Sequence, residues 1–140
     1  MKNLILENLP VLMHEPGGSS VVADPMTVET IDNHVYFYAG VDSDRCLALV
    51  RSLRELDNRL RTERETRQVP PEIPATPIWL HINSPGGDLF AGLAAADQIP
   101  RIETPIYSVI EGMCASAATL ISLACQRRFI SQQLYDAPPI

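Results

Sequence analysis

Two short turns built almost wholly from small residues constrain this chain more than any other feature. They are Ser84-Pro85-Gly86-Gly87 and Gly112-Met113-Cys114-Ala115-Ser116-Ala117-Ala118. Each follows a short apolar run of β-forming residues, and each precedes a segment with helical spacing. A strand that enters a tight turn and leaves as a helix presents unpaired backbone N–H groups at the helix start. Such groups hold anions, including the oxyanion of an acyl-transfer intermediate. Two such turns, the second with a serine at its apex, point to a nucleophile facing an oxyanion hole.

Composition narrows the setting. At 140 residues the chain is long enough for one core and too short for two comfortable domains. Hydrophobic residues make up 46%, which excludes a disordered polymer. A net charge of −6 without a Lys/Arg cluster argues against nucleic acid, because phosphate binding needs a basic face. Cys46, Cys114 and Cys125 show no CxxC or metal-like spacing, so reduced thiols in a cytoplasmic protein are expected, with no metal and no cofactor. The mildly apolar start is interrupted by Glu7 and Pro10 and does not read as a signal peptide. No run approaches a membrane span.

Residues 1–30 read as a loop-rich arm broken by Pro10, Pro16-Gly17-Gly18 and Pro25, and residues 31–140 as one domain. His14 in that arm reads as a surface loop histidine. The run Ile31–Val41 alternates and predicts a strand ending at Gly40, with His34 as a half-exposed edge histidine. Asp42 or Ser43 caps a helix to about Arg64, buried through Cys46, Leu49, Val50, Leu53, Leu56 and Leu60. Its charged faces read as solvated surface. A stiff proline-rich connection follows over residues 69–77. Residues 77–83 predict a strand covered on both faces, in which His81 is a satisfied core or inter-strand histidine. The helix after Gly87 is expected to turn Leu89, Leu93 and Ala96 inward and to stop at Pro100. Pro105–Ile110 predicts a strand, Ser116–Cys125 a helix, and Arg128–Ser131 the start of another strand.

The chemistry asks for these residue types. Gly86 and Gly87 permit positive φ and let an N–H approach a substrate carbonyl with no Cβ in the way. Gly112 and the alanines around Ser116 let the elbow sit tightly between sheet and helix. Serine is also a common helix N-cap, but the upstream glycine turn favours a nucleophile at Ser116. Cys114 sits two residues early for the apex and reads as a small buried hydrophobe.

The paired motifs INSPGGDLFAGLAAADQI and PIYSVIEGMCASAATLISLACQRRFIS resemble the proteolytic subunit of ATP-dependent Clp proteases, within the wider crotonase-like superfamily. The resemblance covers Val35–Gly40, the helix after it and Pro77–Ser131, roughly two-thirds of the chain. It implies a layered α/β domain of repeated strand–strand–helix units with a largely parallel sheet. It implies Ser116 as the nucleophile of a serine endopeptidase, with the N–H groups of Gly87 and Ala117 as oxyanion-hole donors. It also implies stacked rings of this subunit or related Clp-type subunits, fed with unfolded peptide substrate by an AAA+ unfoldase.

Three departures accompany it. The family's triad histidine follows the Arg-Phe pair, yet after Arg128-Phe129 there is none, and its spacing would fall at about Ile140. The family's aspartate has no counterpart either, Asp136 being unaligned with it. The helix extension through Arg67 with its proline linker reads as an insertion, and the first thirty residues match only vaguely. The chain is therefore expected to be a truncated or degenerate peptidase subunit, weak or inactive as given. Two other readings stand beside it. One is a non-catalytic subunit for assembly or regulation. The other is an acyl-CoA-binding crotonase-like enzyme, which the serine at the apex disfavours.

Overall fold

The computed structural model describes residues 28–131. The N-terminal arm up to residue 27, with His14, and the tail from residue 132, with Asp136 and Ile140, lie outside the described residues.

The chain runs β1 (Val28–Ile31), β2 (His34–Phe37), α1 (Ser43–Thr66), β3 (Ile78–Ser84), α2 (Leu89–Gln98), a 3₁₀ turn (Ile99–Arg101), β4 (Ile106–Cys114), α3 (Ala117–Leu123) and β5 (Arg127–Ile130). The five strands form one sheet in sequence order, antiparallel between β1 and β2 and parallel from there on. This is a mixed α/β domain whose first unit, β1–β2–α1, is strand–strand–helix. α1 packs on β1, β2 and β3, α3 packs on β3 and β4, and α2 joins the two helices.

Local chemistry explains most boundaries. Asp42 caps α1 by accepting from Arg45 N–H at 2.8 Å. The face of α1 at Cys46, Leu49, Leu53 and Leu56 is buried as its spacing requires. Asp57, also buried, accepts from the N–H of Thr104 at 2.9 Å and from its hydroxyl at 2.5 Å, tying α1 to the loop before β4. The proline-rich connection is gripped by Arg64, which donates to the carbonyls of Pro70 at 2.9 Å and of Ile73. Asp88 caps α2 through the N–H of Ala91.

Five expectations need correction. The strand expected over Ile31–Val41 is a hairpin, because Asp32 takes a positive φ of 54° and turns β1 into β2. His34 is consequently on an inner strand flanked by β1 and β3, and it is half-buried. In β3 the buried positions are Ile78, Leu80, Ile82 and Ser84, while Trp79 and His81 are half-buried on the opposite face. The strand is thus covered by helices on one face, although its residues are apolar on nearly both. The helix α2 is rotated from its expected orientation. Leu89 and Leu93 are 54% and 41% exposed, and Ala91, Gly92 and Ala95 are buried instead. The reason is the approach to α3: a methyl on Gly92 would lie 2.9 Å from the Ala117 carbonyl oxygen, so only small residues fit there. β4 also runs four residues past its expected end at Ile110, to Cys114.

Candidate active site

The two small-residue turns meet at the carboxyl end of β3 and β4, where α/β sheets place their binding crevices. The first turn leaves β3 at Ser84, whose buried hydroxyl accepts from Gly86 N–H at 3.2 Å. Gly86 and Gly87 have φ of 94° and 151°, values that side chains rarely adopt. The turn is held from a direction that the sequence does not announce. Val41 forms an isolated parallel bridge to Gly87, donating to Gly86 O at 2.9 Å and accepting from Asp88 N–H at 2.8 Å. A methyl on Gly87 would lie 2.3 Å from the Val41 carbonyl oxygen, so the glycine is required by contact as well as by φ.

The second turn leaves β4 through Gly112, with φ of 75°, packed against the Asn83 side chain. Ala115 N–H donates to Ser84 O at 3.1 Å and stitches this turn to the first. Ser116 follows with φ 52° and ψ −126°, a strained conformation at the head of α3. A methyl on Gly86 would lie 2.7 Å from Ser116 Cβ and 2.6 Å from Ala115 O, so the two turns are in direct contact. Ser116 is exposed and its side chain makes no capping bond to α3. A serine that merely capped the helix would take β-region angles and accept from the first turn; this one does neither. Among the described residues, neither Gly87 N–H nor Ala117 N–H has a hydrogen-bond partner.

Cys114 is half-buried, and burial raises its thiol pKa above the usual value, which suits a packing role. Cys125 is pushed up to about 12 for the same reason. The structure gathers no group of three or more His, Cys, Asp and Glu among the described residues that could hold a metal ion.

Neither described histidine has a hydrogen bond to Ser116. His81 is an inter-strand histidine, as its strand position suggests. It bonds His34 at 2.8 Å through Nε2 and the Glu111 carboxylate through Nδ1, on the half-buried outer face of the sheet. Tyr38 donates to the other Glu111 oxygen. That bond raises the Tyr38 phenol to about 12. Burial pushes the Glu111 carboxyl upward, but the bonds from Tyr38 and His81 outweigh it and leave its pKa lowered. Sequence reading missed this network because its bonded partners are separated by up to 73 residues. The only signal was their shared alternation on three neighbouring strands.

Residues 69–132 match the Clp protease family. The described domain is Clp protease-like. A stretch of 55 residues is 49% identical to the ATP-dependent Clp protease proteolytic subunit 2 of Treponema denticola, covering 38% of this chain and 28% of that protein. A longer stretch of 109 residues is 28% identical to proteolytic subunit 1 of Gloeobacter violaceus, covering 78% of this chain and 49% of that one. The matched segments thus span half or less of these relatives' own length. Among solved structures, ClpP1 from Listeria monocytogenes superposes with a TM-score of 0.54 at 25% identity, over 67% of this chain and 47% of the other. The ClpP catalytic domain from Plasmodium falciparum gives 0.52 at 23% identity, over 67% and 52%, a likeness of fold. The matched residues include both turns and the passage from β4 into α3. No described helix is long and apolar enough to cross a membrane.

Proposed function

We propose that this chain is a Clp-type serine endopeptidase subunit in which Ser116 is the nucleophile and the N–H groups of Gly87 and Ala117 form the oxyanion hole. The observation that carries the reading is the contact of the two turns. Gly86 packs against a strained, exposed Ser116 whose hydroxyl caps nothing, and among the described residues the N–H groups of Gly87 and Ala117 are unpaired. Donors fixed in this way need no reorganisation as negative charge develops, and losing one costs about 3–4 kcal/mol of barrier. An extended peptide would add a strand along the edge of Gly87 and Asp88 not taken by Val41.

A serine hydroxyl at neutral pH needs an adjacent general base. His34 and His81 bond each other and Glu111 on the outer sheet face, and among the described residues neither bonds Ser116. We therefore expect the 140-residue chain as given to turn over peptides weakly. The engagement of both histidines is also what favours the second reading, a non-catalytic Clp-type subunit used for assembly. Either way, rings of like or related subunits, an AAA+ unfoldase partner and a cytoplasmic setting follow from the Clp likeness. Exposed Leu47, Leu89, Phe90 and Leu93 supply apolar surface for association, and light scattering that shows only monomer at high concentration would count against rings.

The test is a fluorophosphonate label beside a fluorogenic peptide assay, with Ser116→Ala as the blank. Labelling of Ser116 with slow turnover supports the peptidase reading. No labelling of a folded chain, even at high probe concentration, leaves the assembly reading. Robust turnover that disappears in Ser116→Ala would refute the expectation of weak activity.

A further inference from the structure

The candidate site leaves one polar assembly unused, the hydrogen-bonded chain His34–His81–Glu111–Tyr38 across β2, β3 and β4. His81 is stacked on Tyr36, with ring centroids 4.4 Å apart and an angle of 11°. His34 lies nearly parallel to Trp79, at 6.5 Å and 14°. The proton arrangement follows from the partners. A carboxylate only accepts, so the bond to Glu111 requires a proton on His81 Nδ1. When both rings are neutral, His81 Nε2 must therefore accept, and His34 Nδ1 must donate to it.

One added proton fits this arrangement. It goes to His34 Nε2, the nitrogen outside the chain, and every existing bond is kept. A second proton does not fit, because it must go to His81 Nε2, which then faces a His34 Nδ1–H at 2.8 Å, donor against donor. The other groups facing the pair do not relieve this. Glu29 lies opposite Tyr36 on β1, and Arg127 on β5 sits over Tyr107 at 5.5 Å, adding a further positive charge to that face. On β2, just past it and on β4 the remaining facing groups are the phenols of Tyr36, Tyr38 and Tyr107 and the Glu111 carboxylate, which bonds His81 alone of the two rings.

We propose that the chain is a proton-operated latch between β2, β3 and β4, closed while the histidine pair carries at most one extra proton and opened by the second. Opening separates His34 from His81 and unstacks the outer face. β3 and β4, which the latch ties together, are also the strands that lead into Gly87 and Ser116. The inference does not rest on the role proposed for Ser116.

The unmodified full chain tests it directly. Nitrogen-15 histidine spectra at pH 8 should show His34 and His81 both protonated at Nδ1 and bare at Nε2. On acidification the pair should take up protons in two separate steps. Trp79, the single tryptophan, should change its emission with the second step and not with the first. His34→Gln should reduce the titration to one step and remove the emission change, whereas His14→Gln should leave both. A neutral His81 carrying its proton on Nε2, or two histidines titrating independently, would overturn the latch. The tautomer on the unmodified chain decides the matter even if a variant fails to fold.

Discussion

On the inner face of the sheet Val35, Phe37, Ile78, Leu80, Ile82 and Ile106 are fully buried beneath the helices. On the outer face the same strands carry His34, Tyr36, Trp79, His81, Tyr107 and Glu111, all half-buried. The inner residues offer no polar atoms and gain stability through area removed from water and close packing. The outer residues gain less area per side chain but make directional contacts, through ring stacking and the Tyr38–Glu111–His81–His34 chain. The inner face therefore sets how firmly the domain folds. The outer face is where its behaviour responds to solvent conditions. The candidate active site belongs to neither face, lying where β3 and β4 end.

Truncating the two faces should separate them most clearly. Leu80→Ala removes a fully buried side chain and should cost about 2–5 kcal/mol in chemical unfolding. Its neighbour Trp79→Ala, although larger, removes a half-buried ring packed against Tyr107 and Phe129 and should cost about 1–2 kcal/mol. Equal losses would show that the outer face is as fully covered in solution as the inner one.

A second substitution addresses the turns rather than either face. Gly86→Ala places a methyl 2.6 Å from Ala115 O at φ 94°, which should cost roughly 1–3 kcal/mol as local strain. Because that methyl also presses on Ser116 Cβ, fluorophosphonate labelling should fall at least tenfold while the far-ultraviolet circular dichroism of the folded chain is kept. Undiminished labelling would separate the first turn from the reactivity of Ser116.

The smallest effect concerns acid. Glu111 has its pKa lowered in the folded state, so its contribution is present above the unfolded carboxylate value and is lost as pH falls through the folded one. Glu111→Gln should therefore flatten the loss of stability below about pH 4.5. It should leave the dependence unchanged at alkaline pH, apart from Tyr38. That phenol, held near 12 by the Glu111 carboxylate, should titrate earlier in the variant by ultraviolet absorbance. An acid limb identical to that of the parent chain would remove Glu111 from the charged network.

The sequence by itself determined the helices, the strands β3, β4 and β5, the two turns and the serine at the second apex. Those features are local. A glycine pair after an apolar run, an aspartate before a helix and the 3- and 4-residue spacing of Leu49, Leu53 and Leu56 each act within a few residues. Only the tertiary structure decided which side of α2 faces inward, because that depends on how closely α3 approaches, and Gly92 against Ala117 admits no larger group. It alone decided that Val41 holds the glycine turn and that Asp57 holds the loop before β4, through bonds across 45 and 47 residues. It also turned His34 from an expected edge histidine into the partner of His81. A side chain's hydrogen-bond partner is set by which strands lie side by side and in what register, and neighbouring residues in the chain carry no record of that.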